Sequence, residues 1–230
     1  MKKAAREAGR QTSWTRIDTA YEDALRGFVR GCFGNGQFMK AVEDFVRPLL
    51  DPGWINSLAQ TLLKLTVPGV PDIYQGNELW DLSLVDPDNR RPVDFAARQR
   101  LLAETRELSP EMAWERRAEG VPKLWTIQRA LALRRSRPES FRRGNYQPQG
   151  AHGSKAEHCV AFTRKDDVLV IVPRLVWGLG GNWEDTHLDI PGGEWHNELT
   201  HETMNGGQQP LAEILGRFPV GLFPRQSRMS

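Results

Sequence analysis

The stretch that decides how this chain folds runs from Pro68 to Pro92 and reads PGVPDIYQGNELWDLSLVDPDNRRP. Prolines and glycines interrupt it so often that no long helix can pass through it. It also collects acidic, amide, guanidinium and aromatic side chains, which make directional contacts with polar ligands. Three interpretations are open at this point: a sugar-binding rim, a catalytic centre, or a salt-bridged corner that turns the chain.

Amphipathic helices are predicted on both sides of this stretch, up to about residue 139. Before it, Asp51 can cap a helix whose first turn holds Pro52, where the missing N–H of proline costs nothing. One face of that helix carries the apolar side chains Trp54, Leu58, Leu62 and Leu65. Further helices are predicted over residues 17–29, ended by GCFGNG, and over residues 38–50, 92–108 and 122–137. Ser109-Pro110 repeats the cap-plus-proline signal and predicts the start of a short helix.

From about Ser140 the pattern changes to short apolar or alternating runs split by glycine, proline and charged pairs. These runs are HCVAF, VLVIVP, RLVWGL and THLDIPGG, and their spacing indicates an antiparallel β-sandwich. We therefore predict an α+β chain with a helix-rich module over residues 1–139 and a β-rich module over residues 140–230. Within the first module, VPDIYQG predicts a brief strand near residues 71–75 that ends at Gly76.

Composition argues against several classes of partner. The 230 residues carry 31 basic and 29 acidic side chains, a net charge of +2, which gives no electrostatic case for nucleic acid or an anionic membrane. No apolar run is long enough to span a bilayer, and no signal-peptide core follows the basic N-terminus. Cys32 and Cys159 stand far apart, so the simplest expectation is a reduced, cytoplasmic protein.

Sequence motifs for a metal or a cofactor are incomplete. His201-Glu202 lacks the second histidine of a metalloprotease helix, and the glycines around Gly34 are not in the dinucleotide-binding order. Asp86 and Asp88 resemble the start of a calcium loop, but the required glycine at its sixth position is missing. The sequence thus predicts neither a metal nor a cofactor.

The opening stretch keeps its interest as a carbohydrate site. A sugar offers hydroxyl groups to planar carboxylates, amides and guanidinium groups, and its C–H face suits an aromatic ring. Tyr74 and Trp80 could supply the ring; the planar groups are Asp72, Gln75, Asn77, Glu78, Asp81, Asp86, Asp88, Asn89, Arg90 and Arg91. For the second half a structural reading is equally explicit, because Asp86 or Asp88 could pair with Arg90 or Arg91 in a turn before Pro92.

At these residues the sequence resembles a known family. PGVPDIYQGNELWDLSLVDPDNRRPVD, residues 68–94, is similar to the region around the eighth barrel strand of maltooligosyl trehalose synthases, the glucan glucosylmutases of the α-amylase superfamily. The superfamily commonly has the residue types of Pro71, Tyr74, Gly76 and Glu78. The stretches REAGRQTSW, FRRGNYQP and FPVGLF agree with the same family along nearly the whole chain. One departure is Gln11, which stands where the family usually has histidine.

The resemblance implies a fold and a set of partners. Residues 1–139 would be the C-terminal part of a (β/α)₈ barrel, with strand 8 near residues 71–75, and residues 140–230 would be a β-sandwich. Because the family is longer, its catalytic carboxylates should lie N-terminal to Met1, so we assign no catalytic residue and expect the isolated chain to be inactive. Its partners would be maltooligosaccharide or glucose in the complete barrel and the missing N-terminal part of the enzyme. In the isolated chain the strand near residues 71–75 lacks neighbours, so we expect it to be irregular or to pair with another copy of the chain.

The resemblance also implies a mechanism and site residues. In a retaining scheme one carboxylate forms a glycosyl-enzyme, the other protonates the leaving oxygen, and the released glucose returns to form an α,α-1,1 link. Residues expected to grip that glucose are Tyr74, Gln75, Glu78, Trp80 and Asp81; those expected to form the supporting turn are Asp86, Asp88, Asn89, Arg90 and Arg91. The alternatives are a non-catalytic carbohydrate-binding or structural module, or part of an α-amylase-type hydrolase.

Overall fold

The computed structural model describes residues 1–83 and 90–226. The longer helices are α1 (Lys2–Ala8), α2 (Thr19–Gly34), α3 (Gly36–Val46), α4 (Leu50–Thr66), α5 (Phe95–Glu104) and α7 (Val121–Ser136). Shorter helices are α6 (Pro110–Glu115), α8 (Pro138–Arg142), α9 (Val176–Leu179) and α10 (Leu211–Ile214). Among the described residues the chain divides into two compact units, unit 1 over 1–50 and unit 2 over 51–83 and 90–226.

Unit 1 consists of helices with well-made ends. The Asp18 carboxylate accepts from the Tyr21 N–H at 2.9 Å at the start of α2, and Asn35 does the same for Phe38 at 3.0 Å at the start of α3. The sequence predicted that GCFGNG would end the first of these helices, but α2 continues through Gly31 to Gly34. Helix propensity alone did not decide this boundary, because the cap at Asn35 separates the two helices instead.

The β-rich part of unit 2 contains two antiparallel sheets. Its strands are β1 (Tyr146–Gln149), β2 (Ala151–His152), β3 (Cys159–Arg164), β4 (Val168–Pro173), β5 (His187–His196), β6 (Thr203–Pro210) and β7 (Gly221–Pro224). The first sheet has the order β1-β3-β4-β7 and the second β2-β5-β6. Strands β5 and β6 shift register between Ile190 and Glu194, as a β-bulge does.

Strand β4 is buried on both faces and so separates two cores. Val168, Val170 and Val172 pack into a core with helices α4 and α7. The alternate residues Leu169 and Ile171 pack into the core between the two sheets. This two-residue alternation makes the first sheet the middle layer of unit 2, with helices on one side and the second sheet on the other.

A buried arginine connects these layers. Arg164 at the end of β3 is 2% exposed, and its guanidinium donates to the Thr66 carbonyl at the end of α4 at 2.7 Å. It also donates to the carbonyls of Phe141 and Gly144. Burial lowers the pKa of Arg164. The arginine therefore satisfies carbonyls at helix ends that have no partner within their own helices.

The structure confirms the α+β class, with helices followed by antiparallel sheets. Three local predictions differ from it. Residues 71–74, expected as a brief strand, have no regular secondary structure, and no described strand lies beside them. RLVWGL, expected as a strand, contains helix α9 instead: Leu175 adopts a left-handed φ of 50° that turns the chain, and Val176–Leu179 are helical. Asp51 lies inside α4 and accepts from Arg117 Nε at 2.8 Å instead of capping the helix.

Candidate carbohydrate-binding rim

The loop over residues 71–83 carries the residues that the sequence singles out, and Gly76 turns it. Gly76 has φ +84°, a conformation that side-chain-bearing residues rarely adopt. Around it, Asn77 Nδ2 donates to the Tyr74 carbonyl at 3.1 Å and Gln75 Nε2 donates to the Arg91 carbonyl at 3.4 Å. These contacts hold the backbone of the turn while the Tyr74 ring remains 47% exposed.

Arg98 on α5 fixes the acidic residue of the turn. Its Nε donates to Glu78 Oε2 at 3.0 Å, and its Nη2 donates to the Gly76 carbonyl at 2.9 Å. A third bond joins Nη1 to the Asp94 carbonyl at 3.1 Å. The guanidinium thus binds side chain and backbone of one loop together, which orients the Glu78 carboxylate without removing it from the surface.

Trp80 makes its contacts inside the protein. Its indole Nε1 donates to the Arg117 carbonyl at 2.6 Å, and its ring packs against the core between the helices and the first sheet. Lys123 Nζ lies 5.9 Å from the ring centroid and donates to the Leu79 carbonyl at 3.0 Å. A half-buried ring with both a hydrogen bond and a core contact anchors the loop and offers little free face for sugar stacking.

Two charges lie at the far end of the loop. Burial lowers the pKa of Lys123, and the nearby positive charge of Lys64 acts in the same direction, while Asp81 and Glu78 oppose both. Hydrogen bonds from the side chain and backbone N–H of Ser83 hold the pKa of Asp81 below its usual value. Asp81 is therefore an anionic, exposed acceptor beside a partly desolvated ammonium group.

Gly120 allows the loop to approach α7 closely. Gly120 has φ +84°, and a Cβ placed there would lie 3.1 Å from the backbone nitrogen of Trp80 and 3.2 Å from the Leu79 Cβ. Both the conformation and the contact therefore favour glycine. The close approach brings the Leu79 carbonyl within reach of Lys123.

The predicted supporting turn is only partly within the described residues. Asp86, Asp88 and Asn89 lie outside the residues that the structure describes, so their pairing with arginine stays a prediction. Arg90 and Arg91 are described, and the Arg91 carbonyl accepts the bond from Gln75. The Gln75 side chain therefore joins Arg91, at the end of this turn, to the first half of the stretch.

The expected grip residues form two groups along the loop. Tyr74, Gln75 and Glu78 surround the Gly76 turn, whereas Trp80 and Asp81 lie where the loop meets α7 and Lys123. Sequence reasoning missed Arg98 and Lys123, which hold these groups. The available signal for Lys123 was a single cation between Pro122 and Leu124 at the apolar start of a helix.

The described part of the chain carries neither a metal signature nor a membrane signature. Across residues 1–83 and 90–226 the histidine, cysteine, aspartate and glutamate side chains form no group of three or more that could hold a metal ion. Over the same ranges, no helix combines the length and apolar character needed to cross a bilayer.

Comparison with known proteins shows that the chain is similar to part of much longer maltooligosyl trehalose synthases. No protein-family profile matches it. Two curated proteins, each called a putative maltooligosyl trehalose synthase, from Mycobacterium tuberculosis strains CDC 1551 and H37Rv, are 41% identical to it over 226 residues. The match covers 98% of this chain and 28% of each relative, so the chain spans less than a third of their length.

A solved structure gives the same result. The structure of maltooligosyltrehalose synthase from Arthrobacter ramosus superposes with a TM-score of 0.88 at 40% identity, over 97% of this chain and 29% of that one. The chain is therefore homologous to the C-terminal region of maltooligosyl trehalose synthases. This confirms the family resemblance that residues 68–94 indicated.

Proposed function

We propose that this chain is the C-terminal part of an enzyme that converts the reducing-end α-1,4 linkage of maltooligosaccharides into an α,α-1,1 linkage. In this proposal residues 1–139 complete a (β/α)₈ barrel and residues 140–230 form its β-sandwich. The observation that carries the proposal is the superposition on the Arthrobacter ramosus enzyme over 97% of the chain. A similarity this extensive, at 40% identity, supports a shared reaction better than fold alone could.

The chemistry is divided between this chain and the rest of the enzyme. In a retaining mechanism two carboxylates about 5–5.5 Å apart form and then resolve a glycosyl-enzyme. We place them in the part of the relatives that this chain does not match. The remaining requirement is to hold the released glucose while it turns and to keep water away. That requirement is assigned to the loop on the catalytic face of the barrel.

Within that loop the proposed contacts follow from exposure. Tyr74 offers a ring face, and Glu78, oriented by Arg98, offers a carboxylate to sugar hydroxyl groups. Gln75 and Asp81 supply further polar groups, and Trp80 supports the loop from below through its bond to Arg117. Asp86, Asp88, Asn89, Arg90 and Arg91 would complete the support as the charged turn.

An apolar surface on unit 1 supports the proposal that further polypeptide is needed. Phe28 and Phe33 on α2 are each 71% exposed, and Phe45 on α3 is 73% exposed. Burying such rings contributes about 25 cal/mol per Å² of apolar surface. We assign this surface to the N-terminal part of the same enzyme, with self-association of the chain as the alternative when that part is missing.

A chimera tests the function. The matched region of the Arthrobacter ramosus enzyme is replaced with this chain, and maltopentaose is assayed for loss of reducing ends and for released glucose. We expect loss of reducing ends with little glucose, and no turnover by this chain alone. A folded chimera that releases mainly glucose or maltose would indicate a hydrolase, and a folded inactive one would contradict the proposal.

Matched variants within the chimera test the rim. Tyr74→Ala removes the exposed ring and Glu78→Gln removes one charge, and both are expected to raise glucose release relative to trehalosyl product. The control is Glu107→Gln at an exposed position outside the loop. If the loop only supports the fold, all three variants keep the same product ratio. Circular dichroism before each assay verifies that the variants are folded.

A further inference from the structure

A cavity of about 320 Å³ lies beside β6 and α10, formed by residues 197–223. Its polar lining consists of Asn197, Glu202, Thr203, Asn205, Gln209 and Glu213. The apolar part of its wall is made by Met204, Ile214 and Phe223. None of these residues belongs to the loop around Tyr74, and the cavity is large enough for a small ligand.

The cavity is built on a tight connection between β5 and β6. The Asn197 N–H donates to the Glu202 carbonyl at 2.7 Å, and the Asn197 carbonyl accepts from the His201 N–H at the same distance. His201 adopts a left-handed φ of 62°. These bonds close the loop on itself, so the side chains at its base have fixed positions before any ligand arrives.

Asn197 provides the most specific indication that the cavity can bind a ligand. It is 1% exposed, and its Oδ1 accepts from the Leu199 N–H at 3.0 Å. Its Nδ2 donates no hydrogen bond to any residue in the described part of the chain, although Asn197 lines the cavity. This donor is therefore available to an oxygen atom that enters the cavity, and a sugar hydroxyl group can replace water as its acceptor.

The charges around the cavity restrict the ligand. Glu202 Oε2 accepts from Thr200 Oγ1 at 2.8 Å, and its Oε1 lies 3.2 Å from Arg217. Arg217 also pairs with Glu111 at 2.5 Å, so this cation is already shared by two carboxylates. Glu213 adds another carboxylate to the lining. An anionic ligand would therefore be repelled, and the described lining groups are too few to hold a metal.

We propose that this cavity binds a hexose unit of a neutral oligosaccharide. Carboxylate and amide groups match the hydroxyl groups of a sugar, and Met204, Ile214 and Phe223 match its C–H face. The Asn197 Nδ2 donates to one sugar oxygen, while Glu213 and Asn205 at the rim accept from or donate to others. This assignment rests on the lining itself and stands apart from the proposed reaction.

The test is a titration of the 230-residue chain with maltotriose, followed by amide chemical shifts from ¹⁵N-labelled protein. Saturable shifts are expected at residues 197–214. Two rim variants, Asn205→Ala and Glu213→Gln, lie at exposed positions and leave the core intact. Each is expected to weaken binding, and together by roughly tenfold, as the loss of one or two hydrogen bonds does.

Two controls distinguish binding in this cavity from nonspecific contact with sugar or with any small solute. Glu157→Gln, at an exposed carboxylate outside the lining, should bind maltotriose like the parent chain. Inorganic phosphate should shift none of the lining amides. The proposal is overturned by shifts confined to the loop around Tyr74, by unchanged affinity in the double variant, or by the absence of saturable shifts. The chimera assay reads the proposed reaction separately, so failure of one does not imply failure of the other.

Discussion

The helices of unit 1 and unit 2 begin with the same sequence signals, but only those of unit 2 bury large apolar side chains in a core. Both contain amphipathic helices with side-chain caps, such as Asp18 in unit 1 and Ser109 in unit 2. Within unit 1 the described buried residues are polar, Thr12 and Glu22. In unit 2 the helices α4 and α7 bury Leu58, Trp125 and their neighbours at the first sheet.

The difference shows that local helix formation and core formation are separate requirements. Caps and spacing can define a helix of 16 residues such as α2 without burying its large apolar side chains, since Phe28 and Phe33 are each 71% exposed. In unit 2 a sheet supplies that surface. In our proposal the exposed phenylalanines of unit 1 contact further polypeptide.

The largest expected effect contrasts one tryptophan with one phenylalanine. Trp125 is fully buried and donates from Nε1 to the Leu199 carbonyl at 3.2 Å. Trp125→Ala should lower the free energy of unfolding of unit 2 by about 3–5 kcal/mol. Phe45→Ala, at an exposed position of unit 1, should change the free energy of unfolding of unit 1 by about 0.5 kcal/mol or less. Urea unfolding followed by circular dichroism measures both, and equal effects would contradict the contrast.

A smaller effect tests how unit 2 holds the candidate rim. Gly120→Ala must strain a φ of +84° and also place a Cβ 3.1 Å from the Trp80 nitrogen. Gly180→Ala is the matched control, since Gly180 has φ +62° but nothing within 4 Å of an added Cβ. We expect the control to cost about 1 kcal/mol and Gly120→Ala clearly more. Thermal unfolding of both variants provides the measurement, and equal losses would show that the contact is unimportant.

The smallest effect concerns the polar cluster of unit 1. Arg6, with Lys2 and Thr12, binds the Glu22 carboxylate, and these hydrogen bonds lower the pKa of Glu22 from 4.5 to about 2. Because the folded-state pKa is the lower one, the stabilisation is present above pH 4.5 and is lost as pH falls towards 2. Helicity of unit 1 should decrease over that interval, measured by circular dichroism.

A matched pair of variants separates Glu22 from the other carboxylates. Glu22→Gln should remove this part of the pH dependence, whereas Glu107→Gln at an exposed position should leave it unchanged. If both variants follow the parent curve between pH 4.5 and 2, the cluster does not stabilise unit 1.

How much of the fold could be predicted from the sequence depends on whether the signal is local. The short apolar run VLVIVP predicted β4, and the cap-plus-proline signal at Ser109-Pro110 predicted the start of α6. The brief strand near residues 71–75 does not form because a strand needs neighbours, and the described chain provides none beside it; this agrees with the irregular backbone expected for the isolated chain. RLVWGL failed because the left-handed Leu175 is not evident from composition.

For the candidate rim, too, the residue types could be predicted from local sequence, whereas the contacts between distant residues could not. Its residue types were evident in residues 68–92, but the Arg98 and Lys123 contacts join positions 20 and 44 residues apart. The interior role of Trp80 depends on the Arg117 carbonyl, 37 residues away. The cavity beside β6 had no sequence signal, because loop closure at Asn197 and the packing of α10 create it together.

The central proposal is that the exposed phenylalanines of unit 1 contact polypeptide beyond this chain. Amide hydrogen exchange tests it most directly, by comparing α2 and α3 in this chain alone and in the chimera with the Arthrobacter ramosus enzyme. We predict that both helices exchange far faster than α4 and α7 in the chain alone and become protected in the chimera. Equal protection of all four helices in the chain alone would contradict the account.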